Sequence, residues 1–287
     1  MARGTARSAE YETRRGARSA QHATRRASNS HAMEWLARAG LAARGVMYVL
    51  VGSLAVQIAF GQGGHHADRS GALRLVAQTP FGQAALWLLV IGFGGMTLWR
   101  LSEAAYGAAG PDGRKTSTRL AALGRAIFYG FVVYSILKYA LGVGAPTSSN
   151  QQSKDLTAQA MKVPGGRLIV GLIGLAFFIG ALRLAYSALK KKFLKKLDLG
   201  RMGPTARRVV ERLGQIGGTV RGTVFATVGI FLIVAAVQFQ PSKAKGLDSA
   251  LRTLAHTPLG PWLLVVVAAG LVTFGAYSFC EARWRRV

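Results

Sequence analysis

The residues in this chain best able to do chemistry are ionisable side chains set in or beside long apolar runs. Arg44, Arg125 and Arg221 each stand near the start of such a run, and Glu103 and Glu281 near the end of one. Lys138 lies inside a run, with Gln57 at the matching place in the first run. Charged groups at membrane depth are costly, so those that persist pair, line a polar route, or reach back to headgroups. Matching depths predict Arg44–Glu103 and Arg221–Glu281 ion pairs. Ser187 stands where a third carboxylate would be, so Arg125 lacks a partner. Three roles remain open for the arginines: snorkelling to headgroups, packing within repeats, and a proton or ion pathway. Lys138 either snorkels outward or belongs to such a pathway.

Other reactive groupings are sparse. No nucleophile–His–acid arrangement and no Gly-rich phosphate loop emerges, so no catalytic residue is assigned and a non-enzymatic protein is expected. His65 and His66 stand near Asp68, and His256 occupies the equivalent segment later in the chain. Such a group either holds a metal or is simply a polar loop; the second reading is preferred, and no metal or cofactor is assigned. The single Cys280 excludes an intramolecular disulfide.

The elements that must position these residues are six apolar runs: Leu41 to Phe60, Ala84 to Leu98, Leu120 to Leu141, Leu168 to Leu189, Ile216 to Phe239 and Trp262 to Phe279. Spans near twenty residues match a hydrocarbon core of about 30 Å at about 1.5 Å per residue. Uninterrupted apolar runs are helices, because barrel strands are half as long and alternate. With 51% hydrophobic residues, the chain reads as an all-α integral membrane protein. Most of its 37 Lys and Arg fall on the side of the termini. The opposite segments hold Arg69, Arg74, Lys154, Lys162, Arg167, Lys243, Lys245 and Arg252. The positive-inside bias therefore predicts that both termini are cytoplasmic.

That topology accounts for much of the net charge of +26 without a specific nucleic-acid partner. The expected partner is the bilayer, with its anionic inner-leaflet lipids; protein partners are not identified. Residues 1–33 are Arg-rich and poor in large apolar residues, and are expected to form a disordered basic tail lying on lipid. A second basic segment contains Lys190, Lys191, Lys192, Lys195 and Lys196 interleaved with Phe193, Leu194 and Leu197. Its spacing predicts a helical continuation along the inner surface, contacting anionic lipid.

The runs come in pairs, and the pairs repeat. Arg44-Gly45 and Tyr48 return as Arg221-Gly222 and Phe225, and more weakly as Arg125-Ala126 and Tyr129. Thr79-Pro80, Val163-Pro164 and Thr257-Pro258 each precede the second run, and proline suits a first helical position. Gly82, Gly166 and Gly260 follow two residues later, allowing a close helix entry. Asp68, Ser70 or Asp248 is placed to cap short amphipathic helices over Ala72 to Ala77 and Ala250 to Ala255 in the outer loops. Small residues such as Gly45, Gly52, Gly218, Gly222 and Gly275 mark the contact faces of a compact bundle. The organisation is three parallel two-helix repeats at 34–107, 108–200 and 201–287.

These motifs together, with the Glu281-Ala282-Arg283 ending, resemble the bacterial membrane-protein family catalogued as domain of unknown function 1206. The resemblance runs from about Trp35 to Arg286 and implies three tandem two-helix units. It implies a bacterial inner-membrane location and brings no catalytic or ligand residues. The resulting expectation is a structural or interaction module of the envelope. Its alternative is a small transporter or channel routed through Lys138, Arg44, Arg125 and Arg221.

Overall fold

A computed structural model describes residues 31–61, 66–107, 113, 115–255 and 259–286. Residues 1–30 of the proposed basic tail, His65 and His256 lie outside the described residues, and residues 31–33 begin a helix. Among those described, nine α-helices form: α1 (His31–Ala59), α2 (Arg69–Ala77), α3 (Gly82–Tyr106), α4 (Thr116–Ala140), α5 (Ser149–Met161), α6 (Gly166–Leu189), α7 (Pro204–Val237), α8 (Leu247–Ala255) and α9 (Gly260–Trp284). Six of them, α1, α3, α4, α6, α7 and α9, are long and apolar enough to cross a membrane. Helix α7 has 34 residues, about 50 Å at the α-helical rise, so it outruns a hydrocarbon core. Its first turns carry Arg207, Arg208, Glu211 and Arg212, ahead of its apolar run.

The spanning helices pack in the order α4, α3, α1, α9, α7, α6. Helices α1 and α9 form the centre and α4 and α6 the two ends, and no packed interface joins α4 to α6. Burial follows this order: 56% of the most apolar stretch of α1 is buried, against 17% of that of α6. Repeats one and three are therefore paired helices, α1 with α3 and α7 with α9. Repeat two is divided, because α4 packs on α3 and α6 packs on α7. The six spanning helices thus pack as a chain with α4 and α6 at its two ends, where the repeat reading implied three equivalent hairpins.

Glycines set the central crossings. A Cβ on Gly275 would lie 2.7 Å from Val49 and 2.9 Å from the Gly45 carbonyl, so α1 and α9 meet backbone to backbone. A Cβ on Gly52 would lie 2.6 Å from Val272, and one on Gly92 2.7 Å from Ala43. Further along the row, where α7 meets α6, a Cβ on Gly222 would lie 2.8 Å from Ala185. Lipid tails give little hydrophobic incentive for helices to associate, so close van der Waals contact must supply it.

The helix starts differ slightly from expectation. Helix α3 begins at Gly82 and α6 at Gly166, two residues after Pro80 and Pro164. Each proline occupies the preceding turn, where Thr79 donates its hydroxyl to the Val76 carbonyl at 2.7 Å. The glycine is required because a Cβ on Gly82 would lie 2.6 Å from the Ala77 carbonyl ending α2.

The basic segment after α6 is not a continued α-helix. Lys191 takes a left-handed φ of 54° and stops α6; Lys192–Lys196 form a 3₁₀ turn instead. Two backbone bonds then tie the segment to the C-terminus: Asp198 N–H to the Trp284 carbonyl at 2.8 Å, and Arg286 N–H to the Lys196 carbonyl at 3.1 Å. Leu197 is buried with Val210, Phe274 and Tyr277. The apolar strip that suggested a membrane-surface helix is used inside the protein.

Candidate functional site

The ends of the spanning helices nearest the C-terminus gather most of the ionisable groups; this is the basic end of the molecule. Arg44 on α1 donates to Glu281 on α9 at 2.6 Å and to the Ser278 hydroxyl at 3.2 Å. Glu281 also accepts from Arg285, one turn further along α9. Glu103 on α3 is taken by Arg100 of the same helix. These charged side chains are buried, so the two carboxylates are needed to offset the cost of desolvating the guanidiniums.

These pairings correct the expected ones. Arg44 does not pair with Glu103, and Arg221 does not pair with Glu281. Equal depth cannot choose between neighbouring helices; the direction each side chain takes around its helix does. The Gly45–Gly275 crossing turns Arg44 toward α9 of repeat three. Arg221 instead donates to the Tyr48 hydroxyl at 2.6 Å. Its guanidinium carbon lies 4.7 to 5.4 Å from the ring centroids of Phe274, Phe225 and Tyr48. No carboxylate pairs with Arg221 among the described residues. Arg125 forms no ion pair either, although Glu103 is the charge that acts on it most; its Nε donates to the Ala121 carbonyl of its own helix at 2.8 Å.

The three repeated arginines do converge. Among the charges around Arg125, Glu103 acts most strongly, ahead of Arg285 and Arg221, and Tyr129 lies within the fields of both Arg44 and Arg221. Lys196 enters the same group, facing Arg285, Arg125 and Arg100. Its side chain is largely exposed by area. Even so, partial desolvation and these neighbouring guanidiniums push its ammonium down to about 8. Trp99 supports the cluster, with Arg100 and Arg285 lying 4.0 and 4.6 Å from its ring centroid. Six cations thus share two carboxylates.

Sequence reasoning missed Arg100, Arg285, Tyr48 and Tyr129. A signal existed for the tyrosines. Tyr48, Tyr129 and Phe225 each follow a repeated arginine by four residues, which places aromatic ring and guanidinium on one helix face. Of the surface lysines, Lys191 pairs with Glu211, and Lys192 lies 4.7 Å over Tyr186; Lys190 and Lys195 are exposed. A shallow cavity of about 240 Å³ nearby is lined by Glu34, Arg38, Asp198, Arg201, Arg283 and Arg286, among others. Lys138 is not part of the cluster. It is exposed on α4, its Nζ 5.7 Å from the Tyr134 ring. Thirteen residues of helix, about 20 Å, separate it from Arg125.

The opposite, short-helix end forms a polar lock. Asp68 caps α2 through the Ser70 and Gly71 N–H groups, and also accepts from the Ser149 N–H and hydroxyl at 2.6 and 2.7 Å. Asn150 accepts from the Gly246 N–H at 2.8 Å and the Ser249 N–H at 3.2 Å. Asp248 accepts from the Ala67 N–H at 2.8 Å. The links run from repeat one to two, two to three, and three back to one. Asp248 therefore bonds across repeats and lies inside α8, in its first turn. His66 lies 3.2 Å from Asp248. Among the described residues, no group of three or more His, Cys, Asp and Glu side chains is placed to hold a metal ion. The lock also shows a third short helix, α5, which sequence spacing had not placed.

The fold and its charged end define a multi-pass helical membrane protein built from three tandem repeats. The family model Domain of Unknown Function (DUF1206) matches residues 39–107, 120–191 and 216–285, and the chain belongs to that family. It is also similar to the protein printed as "Uncharacterized protein YxxB" of Bacillus subtilis (strain 168), 28% identical over 252 residues, covering 87% of this chain and 90% of that one. No solved structure matches.

Proposed function

We propose that this protein is a non-enzymatic structural or interaction module of a bacterial inner membrane, with its basic end in the cytoplasm and held against anionic lipid. One observation carries the reading: at the basic end, six clustered cations face only two carboxylates. A positively charged end of that kind is stabilised by an anionic leaflet. The close glycine crossings and the opposite polar lock suit a module that holds its shape. The exposed position of Lys138, about 20 Å of helix from the arginines, gives a transport route no support.

Two measurements test this. With Cys280 replaced by Ser, Thr147→Cys should react with an impermeant thiol reagent added outside cells, and Arg286→Cys only after permeabilisation. The reverse pattern would overturn the orientation. The protein should also melt higher in bilayers containing phosphatidylglycerol than in phosphatidylcholine alone, with added salt narrowing the gap. Equal melting in both would overturn the lipid-holding role.

A further inference from the structure

The cavity of about 240 Å³ at the basic end lies where the first two turns of α1, the linker after α6 and the end of α9 meet. Hydrogen bonds to backbone groups hold its walls together. Arg38 of α1 donates to the Arg283 carbonyl at 3.0 Å. The linker is tied to the chain end by the bonds from Asp198 N–H to the Trp284 carbonyl and from Arg286 N–H to the Lys196 carbonyl. The walls are therefore in place before any ligand arrives. They come from segments far apart in sequence, so only the tertiary fold makes the site.

Five arginines line this cavity against two carboxylates. The carboxylates are already engaged: Glu34 takes Arg38, and Asp198 stands 3.8 Å from Arg286. Arg201 and Arg283 pair with no carboxylate among the described residues. The guanidinium carbon of Arg283 lies 5.2 Å from the Trp284 ring centroid, which favours one position for it. Arg285 pairs with Glu281, and its side chain is more than nine-tenths buried, yet its Nε has no hydrogen-bond partner among the described residues. A buried N–H without an acceptor is costly. Guanidiniums that share one concave surface and lack acceptors are matched by a phosphate, whose oxygens take paired N–H bonds. The volume falls below the roughly 300–1,000 Å³ of pockets that enclose a drug-sized ligand, and so suits a small anion.

We infer that this cavity binds one small phosphate-bearing anion, its oxygens held by Arg201 and Arg283 and its charge further balanced by Arg285 and Arg286. The phosphate belongs to a soluble ester or to a lipid headgroup; the chemistry recognised is the same. The inference goes beyond the lipid-holding role. That role needs only a basic end facing a leaflet, whereas this one needs a concave site of fixed stoichiometry. It also gives a use to Arg201 and Arg283, whose side chains tie no two elements together. The exposed Lys190 and Lys195 stand at the same end but do not line the cavity.

Isothermal titration calorimetry of the full chain in an uncharged detergent, with inorganic phosphate and with glycerol phosphate as probes, tests the site. One phosphate per chain is expected. Arg201→Gln with Arg283→Gln should weaken binding by about tenfold or more, while the ligand-free protein melts as the wild type does, because neither side chain holds an ion pair. Lys190→Gln with Lys195→Gln removes the same charge and should change the affinity by less than about twofold. Arg201→Lys with Arg283→Lys keeps the charge without the planar fork and should retain part of the affinity. Equal weakening by the arginine and the lysine pairs would reduce the effect to net charge and overturn the site, as would no binding at millimolar phosphate. Repeating the titration in nanodiscs identifies the source. Competition by phosphatidylglycerol but not phosphatidylcholine assigns the site to a headgroup, and undiminished binding assigns it to a soluble ester. Failure to bind phosphate leaves the comparison of melting in the two bilayers untouched, so the cavity and the lipid-holding role fail separately.

Discussion

At the level of single residues, Glu281 does the most to keep the basic end together. Its carboxylate joins Arg44 of the first repeat to Arg285 near the C-terminus. Neutralising it leaves two buried guanidiniums without compensation, which costs about 3–5 kcal/mol in comparable buried pairs. Glu281→Gln should therefore lower the unfolding midpoint in detergent by several degrees, while Glu34→Gln, on a half-exposed pair within one helix, should change it by about a degree or less. A midpoint for Glu281→Gln equal to that of Glu34→Gln would show that the pair is not compensating buried charge. The identity of these residues was legible in the sequence; their partners were not. Equal depth is a one-dimensional property, and a helix must also turn the side chain toward its neighbour.

At the level of elements, the contact faces were legible because lipid-embedded helices depend on small residues. The structure adds which partner each face meets. Gly275 sits where α9 crosses α1, whereas a Cβ on Gly94 of α3 would meet nothing within 4 Å. Gly275→Val should separate α1 from α9 and cut the yield of folded protein. Gly94→Ala should be neutral or raise stability by up to about 1 kcal/mol, from its helix propensity alone. Size-exclusion profiles and melting temperatures of the two variants check the contrast; a well-folded Gly275→Val would disprove the close crossing. The linker after α6 illustrates the opposite case. Its alternation of lysine and apolar residues fits a surface helix equally well. Only the docking of Leu197 beside Val210 and Tyr277 decides that it folds back.

For the whole molecule, the lock at the short-helix end matters most, because each link joins a different pair of repeats. Burial alone would raise the Asp68 carboxyl. Bonds from the Ser70 hydroxyl, the Ser149 N–H and hydroxyl and the Gly71 N–H outweigh it and hold the group below the usual carboxylate range. The unfolded chain then binds the proton more readily than the folded one. The stabilisation is complete above about pH 4 and is lost as pH falls through the lowered folded value. Asp68→Asn should lower stability at neutral pH by about 1–3 kcal/mol and flatten the acid limb of the stability profile. Unfolding midpoints measured from neutral to strongly acidic pH check both effects; an unchanged acid limb would exclude Asp68 as its source.

The sequence by itself determined six spanning helices, three tandem repeats, the small-residue faces and the identity of the charged positions. Each follows from a local rule: hydrocarbon thickness, helical period, or the cost of an isolated charge. Tertiary structure alone decided that repeat two is divided, that Arg44 reaches Glu281 in place of Glu103, and that Arg221 rests among aromatic rings. Those outcomes depend on which helix packs beside which. That order is set by the fit of glycine-lined faces between distant segments, and similar repeats carry nearly the same local pattern whichever neighbour they meet.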